Sequence, residues 1–241
     1  MDCPLNFQQK ERETVDISGK LTDCPLFDGI ADADLSGMLS CLNARSMTCS
    51  KGQTLLAEGS PATKIGILLR GQAQVIRTDY GGSRAIIAHI APSQLFAESF
   101  ACSREELLPV DVVATENCEY LLIDCRRLMT TCTHACAFHS RIIFNLLQIV
   151  ADKNLAMHRR ALVTGRRTTR DKLMAYLLMQ AKDACSDDFS IPFDRQGLAD
   201  YLGVDRSGLS AELSKLKKEG VLDYYKSDFR LLHLPAQGRD D

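Results

Sequence analysis

The sequence lacks the marks of export and of membrane insertion. Its first sixteen residues, MDCPLNFQQKERETVD, have neither a basic start nor an apolar run. No apolar stretch approaches the roughly 20 residues that cross a bilayer. A membrane is therefore not an expected partner, and the cytoplasm is the expected address. Also missing is the cysteine framework of a small secreted domain: ten cysteines are scattered along 241 residues. With 45% hydrophobic residues the chain can bury a core without staples, so reduced thiols are expected. No nucleophile, base and acid stand together in a catalytic pattern. Glu105-Glu106, beside Leu107-Leu108, reads as an exposed charged loop, and no enzymatic activity is expected.

A positive net charge is lacking too, since 29 Lys and Arg face 31 Asp and Glu. Taken whole, that balance argues against a polyanionic partner. Taken by segment it does not. Residues 1–158 hold 14 basic and 18 acidic residues, whereas residues 159–220 hold 12 and 9. The excess is densest in RRALVTGRRTTRDK (159–172), with six basic residues and one acid. Such local asymmetry points towards nucleic acid more strongly than the total points away from it.

What the chain does have is a change of period. From Arg45 to Asp124 short apolar runs, IGILL (65–69), AQVI (73–76), AIIAHI (85–90), VDVVA (110–114) and YLLI (120–123), are separated by turn residues. This predicts an antiparallel, jelly-roll-like β-roll, with a hairpin turn at Asp79-Tyr80-Gly81-Gly82. From about Ala135 to Gly165 the spacing becomes helical over some seven turns. Two adjacent stripes can be drawn, Ile142, Leu146, Ile149, Ala156 and Ile143, Leu147, Val150, Met157, and the second predicts a symmetric dimer. Burial of one long helix between two domains is the simpler alternative. Thr168 and Asp171 then have capping-box spacing and open a helix over 169–184, with Leu173, Leu177, Leu178 and Ala181 inward. FSIPF (189–193) reads as a short strand.

The stretch LADYLGVDRSGLSAEL (198–213) reads as two helices around a tight corner. Asp194 caps a helix through Leu202, Gly203 turns left-handed, Val204 plugs the corner and Asp205 caps a second helix over 206–219. Leu209, Leu213 and Leu216 face inward there, while Arg206, Ser207, Ser210, Ala211, Ser214 and Lys217 stay outside. This is helix-turn-helix spacing, followed by two strands, VLDYY (221–225) and FRLLHL (229–234), that form a wing. A recognition helix works by placing its first turn in the major groove, where each base pair shows a distinct donor and acceptor pattern. Arg206, Ser207 and Ser210 occupy that turn.

With TLLAEG (54–59), ILLRGQAQVI (67–76), FAES (96–99), the long helix and the helix-turn-helix from Arg195 to Leu222 in this order, the sequence resembles the catabolite activator protein and fumarate-nitrate regulator (Crp/Fnr) family. The resemblance implies an α+β chain. An N-terminal extension (1–21) would precede a cyclic-nucleotide-binding-like effector roll (22–133), a dimerisation helix (134–164) and a winged helix-turn-helix (165–241). It implies a homodimer reading an inverted repeat on double-stranded DNA, with RNA polymerase as a partner. Arg195 matches a phosphate contact, with Gln196, Arg170 and Lys215 as further backbone-facing candidates. Ser207 and Ala211 stand where familiar members carry Glu and Arg, so their half-site sequence does not transfer.

In cyclic-nucleotide-binding members a Gly-Glu pair takes the ribose, and an Arg-Ser/Thr pair ten residues beyond the Glu takes the phosphate. Glu98 matches the acid, but the ten-residue step reaches Leu108-Pro109, which offer neither charge nor donor. cAMP is therefore not expected. The expected effector is an unidentified small ligand held near Glu98, Ser99, Leu108, Pro109 and the long helix. Cys132, Cys136 and His139 lie on one helical face and could hold a metal or haem iron, although buried cysteine as a small hydrophobe is the plainer reading. The N-terminal cysteine cluster of fumarate-nitrate regulators is absent. Three functions follow: a ligand-responsive transcription regulator, a haem- or metal-dependent redox or gas sensor acting through the same DNA head, and a scaffold whose helix-turn-helix binds protein.

Overall fold

The run IGILL has no polar residue to alternate with, and its strand has no exposed face. In a computed structural model, which describes residues 18–78, 81, 84–130 and 137–232, the strand Lys64–Arg70 is buried continuously from Ile65 to Leu69. Uninterrupted apolar sequence is what a strand covered on both sides requires.

The chain divides into two compact units, Met1–Asp152 and Lys153–Asp241. The first is built on two four-stranded antiparallel sheets. With β1 at Arg45–Cys49, β2 at Thr54–Leu56, β3 at Lys64–Arg70, β4 at Ala73–Thr78, β5 at Arg84–Ile90, β6 at Leu95–Phe96, β7 at Asp111–Ala114 and β8 at Cys118–Asp124, the orders are β1-β8-β3-β6 and β2-β7-β4-β5. Met47, Leu55, Leu68, Phe96, Val112 and Tyr120 fill the space between them. On the other face of the first sheet Ile65, Ile67, Leu121 and Ile123 meet a helical layer. That layer comprises α1 (Ser18–Leu21), α2 (Asp32–Cys41), α4 (Cys125–Met129) and the first half of α5 (Ala137–Thr164), while the short α3 (Glu98–Ala101) follows β6. The turn expected at 79–82 lies, apart from Gly81, outside the described residues. Two glycines are required by close approach. A Cβ on Gly66 would stand 2.0 Å from the Phe96 ring, and one on Gly71 (φ +86°) would stand 2.4 Å from the Asn117 carbonyl oxygen.

Helix α5 corrects the expected stripes. Ile142 and Leu146 are buried, as drawn, and Ile149 is half-buried, but Ala156 is exposed. Of the second stripe, Ile143 and Val150 also pack against the roll core, leaving Leu147 and Met157 exposed. The uncovered apolar face is instead Phe144, Leu147, Leu155 and Leu162, spaced at three, eight and seven residues and so on one side of a helix. On the covered side of the helix the buried Asn145 donates from Nδ2 to the carbonyls of Leu26 (3.0 Å) and Asp28 (2.9 Å) and fixes the helix to the N-terminal segment. Among the described residues no helix is long and apolar enough to cross a membrane.

The second unit holds α6 (Thr169–Ala184), β9 (Asp188–Ser190), α7 (Arg195–Leu202), α8 (Arg206–Lys218), β10 (Leu222–Tyr225) and β11 (Asp228–Leu231). The Thr168 hydroxyl accepts from the Asp171 amide at 3.1 Å and caps α6, as its spacing predicts. Leu173 and Leu177 face the core, Leu178 is only half-buried, and Tyr176 joins them with Tyr201 and Phe193 at ring distances of 5.1 and 6.1 Å. The wing is a three-stranded antiparallel sheet ordered β10-β11-β9, so the strand of FSIPF completes it. Residues 233 and 234, at the end of the expected second wing strand, lie outside the described residues.

Candidate nucleic-acid interface

Two aspartates build the corner. Asp194 accepts from the Gly197 amide at 2.7 Å and starts α7, which ends in Gly203 at φ 61°. Asp205 accepts from the Gly208 amide at 2.9 Å and from the Ser207 hydroxyl, and starts α8. The Ser207 hydroxyl, then the Gly208 amide, hold the Asp205 carboxyl below its usual range. An anionic cap is favoured at the positive end of a helix and satisfies amides that would otherwise need water. Leu198, Ala199 and Leu202 pack against Leu209, Leu213 and Leu216, with Val204 half-buried at the corner. On the outward face of the first turn Ser207 serves the cap through its hydroxyl proton, and the Arg206 side chain takes no part in it.

Arg206 and Ser207 are exposed there and Ser210 is half-exposed. Among the described residues the Arg206 side chain has no hydrogen-bond or ion-pair partner. The Ser210 hydroxyl donates to the Arg206 carbonyl at 2.9 Å, so towards a ligand it offers lone pairs. Gln196 is exposed and donates to Asp200 Oδ1 at 2.9 Å. Arg195 stands over the Tyr224 ring at 5.1 Å, an arrangement that orients the guanidinium without using its in-plane donors. Lys215 is exposed on α8.

The basic run has a more divided fate than its composition suggests. Arg160 donates to the carbonyls of Tyr201 (3.2 Å) and Asp200 (3.1 Å), closing the C-terminus of α7. Arg159 pairs with Asp183 at 3.4 Å. Arg170 is held by Glu219 at 2.6 Å and Glu212 at 3.4 Å, tying α6 to α8, so a phosphate would compete with two carboxylates for it. Arg166 and Arg167 are exposed. These engagements have no local sign in the sequence, because the partners lie up to 49 residues away.

In the roll, Glu98 is 4% exposed at the start of α3 and Ser99, which donates to its Oε1 at 3.3 Å, is exposed. Ala97, which precedes them, sits at φ 61°, a left-handed conformation that disfavours any residue with a Cβ. Leu108 is buried, its amide bound to the Ser60 carbonyl (2.9 Å) and its carbonyl to the Gly59 amide (2.8 Å), while Pro109 is exposed. Neither adds charge to the site. Of the candidate metal ligands, Cys132 and Cys136 lie outside the described residues, and His139 is buried in α5.

A family model described as cyclic nucleotide-binding domain matches residues 46–134, and one described as Crp-like helix-turn-helix domain matches residues 171–236. The transcriptional activator protein FnrL of Cereibacter sphaeroides is 26% identical over 186 residues, covering 71% of this chain and 69% of its own. The nitrogen fixation regulation protein FixK of Bradyrhizobium diazoefficiens is 25% identical over 200 residues, 78% of each chain. Among solved structures, CprK complexed with OCPA aligns over 83% of this chain and 89% of its own at 16% identity, with a TM-score of 0.61. The c-di-GMP responsive regulator CLP of Xanthomonas campestris aligns over 85% of this chain and 100% of its own at 16% identity, with a TM-score of 0.54. Both structures share the α+β fold, and both relatives are named for regulation, FnrL as a transcriptional activator and FixK as a regulator of nitrogen fixation.

Proposed function

Since the chain belongs to the Crp/Fnr family of DNA-binding transcription regulators, we propose that it acts in the cytoplasm as a homodimer on an inverted-repeat operator, controlled by a small ligand other than cAMP. The observation that carries the DNA reading is the first turn of α8: capped from within, exposed, and headed by an unengaged Arg206. Arg206 pairs with a guanine, while Ser207 and Ser210 accept from a cytosine or adenine amino group and Ala211 touches a thymine methyl. Arg195, Gln196, Lys215 and Arg170 set register on the phosphates. In this reading residues 22–133 receive the effector near Glu98, Ser99, Leu108 and Pro109, residues 134–164 pair the protomers, and residues 165–241 read DNA.

The exposed face of Phe144, Leu147, Leu155 and Leu162 supports a second copy as the partner of α5, because a long uncovered apolar stripe is costly in water. Two heads on one two-fold axis then meet half-sites about one helical turn apart, and the bound dimer recruits RNA polymerase. Against cAMP stands the absence of any cation at Leu108-Pro109 to take a cyclic phosphate.

Selection of bound fragments from a random DNA pool tests the central claim. The expected product is an inverted repeat whose affinity falls linearly in log affinity against log salt, as counterions are released. Recovery of no motif would leave the helix-turn-helix as a protein-binding module and overturn the reading. Calorimetric titration with cAMP is expected to give no binding at micromolar concentration; a saturable isotherm there would return the roll to the cyclic-nucleotide class.

A further inference from the structure

Two cysteines that the DNA reading does not use meet on the roll. Cys102 ends α3, its amide donating to the Glu98 carbonyl at 2.9 Å, and Cys125 begins α4, its amide donating to the Thr63 carbonyl at 3.0 Å. The two elements are separated by 23 positions in sequence, yet the sulfurs stand 3.6 Å apart in hydrogen-bond contact. A disulfide needs about 2.05 Å, so closure asks for a movement of about 1.5 Å. Cys102 is exposed and Cys125 is buried. We propose that Cys102 and Cys125 form a peroxide-oxidisable thiol pair, in which the exposed sulfur attacks the oxidant and the buried one closes an intrachain disulfide.

The division of labour follows from the surroundings. The hydrogen bond from the Cys125 thiol lowers the Cys102 pKa against opposing burial and the Glu98 charge. The same contact, with burial, keeps Cys125 protonated. A thiolate open to solvent is the nucleophile towards a hydroperoxide. The Cys102 thiolate attacks one peroxide oxygen, the O–O bond breaks, and the departing hydroxide takes a proton to leave as water. Cys102 is then a sulfenic acid. Loss of the thiolate removes the group that held the Cys125 proton. Cys125 gives that proton to solvent and its sulfur attacks the sulfenic sulfur. The S–O bond breaks and a second water departs. Two thiols have supplied two electrons and hydrogen peroxide has become two waters. The bridge fastens α3, which carries Glu98 and Ser99, to the end of β8, and a dithiol reductant reverses it.

The roll contains its own control. Cys49 and Cys118 are directly opposite on β1 and β8, but both are buried, burial pushes both thiols up, and Cys118 donates to the Gln72 carbonyl at 3.2 Å. Proximity without exposure should not react. Cys41 and Cys185 are exposed without a neighbouring thiol among the described residues, and should oxidise more slowly and stop at the sulfenic stage or beyond.

The test is peptide mapping of the whole protein after brief treatment with one equivalent of hydrogen peroxide. The expected product has lost about 2 Da and joins the tryptic peptide 85–104 to the peptide 105–126, with fragmentation placing the bond on Cys125 rather than Cys118. Cys102 is consumed several-fold faster than Cys41 or Cys185, and dithiothreitol restores both thiols. In Cys125→Ser a dimedone-type reagent traps a sulfenic acid at Cys102, and in Cys102→Ser Cys125 stays alkylatable after denaturation. Cys102 oxidised with Cys125 still free in the unmodified protein, or a bridge formed first at Cys49–Cys118, overturns the proposal. The unmodified-protein map decides the matter even if a variant fails to fold. The chemistry is read from masses alone, so its failure and failure to bind DNA are separate results.

Discussion

Helix α3 in the roll and helix α8 in the C-terminal unit both begin with side chains expected to bind something, and they treat those side chains in opposite ways. Helix α8 enters through a carboxylate cap and leaves Arg206 in solvent. Helix α3 enters through a left-handed Ala97 with no side-chain cap and buries Glu98. A helix whose first amides are satisfied by its own cap can stand at a surface and present a face. A four-residue helix held by the roll cannot do so, and its acid becomes part of the interior. The difference separates a helix start that presents a cation to solvent from one that encloses a carboxyl.

The largest expected effects ask whether the two units hold separate cores. Leu213→Ala removes a fully buried side chain beneath α8 and should cost roughly 2–5 kcal/mol, seen as faster hydrogen exchange confined to residues 169–231. Gly66→Ala sets a methyl 2.0 Å from the Phe96 ring and should cost roughly 1–3 kcal/mol, confined to the roll. Equal loss of protection in both units from either change would mean that they unfold as one.

Next comes the comparison between free and engaged arginines. Arg206→Ala should weaken binding to the selected operator by roughly 1–3 kcal/mol and relax preference at one base position, read by titration against operator variants. Arg170→Ala removes a cation but also releases Glu212 and Glu219, so it should weaken binding to all sequences alike and flatten the salt slope. If Arg206→Ala left operator affinity unchanged, the assignment of α8 would be wrong.

Much of this architecture was legible because it depends on local pattern. The caps Asp194, Asp205 and Thr168, the corner at Gly203 and the strand runs of the roll all follow from residue type and spacing. What was not legible depends on partners distant in sequence. The acceptors that α7 supplies to Arg160 and the carboxylates that α8 and its C-cap supply to Arg170 have no local sign, and Ile143 and Val150, drawn on the dimer stripe, are covered by the roll. The strain at Ala97 and the meeting of Cys102 with Cys125 leave no local signal at all. The Ala97 strain yields a smaller prediction: Ala97→Gly should raise the stability of the roll by about 1 kcal/mol, as a rise in its thermal midpoint, because glycine adopts φ 61° without a Cβ clash. An unchanged or lower midpoint would show the left-handed turn to be relaxed by its surroundings.

Acid provides the finest comparison. In the C-terminal unit three exposed carboxyls sit below their usual range: Asp205 through the Ser207 hydroxyl, Glu219 through the Arg170 guanidinium and Asp223 through the Lys217 ammonium. In the roll Asp124 does so among the described residues, burial being outweighed by the hydrogen bond and charge of Lys64 and by the amides of Arg126 and Arg127. A carboxyl whose folded pKa lies below its unfolded value, about 4, stabilises the fold fully above that value and loses the contribution as pH falls through the folded pKa. Stability should therefore be flat in this respect from pH 8 to about 5. Below that it should fall more steeply in the C-terminal unit than in the roll. The three C-terminal groups are solvent-exposed and Asp124 is half-buried, so the contrast should be modest and should shrink in molar salt. Hydrogen exchange of the two units across pH 5 to 3 measures it. A roll that loosened first would mean that these four carboxyls do not set the order in which the two units lose stability.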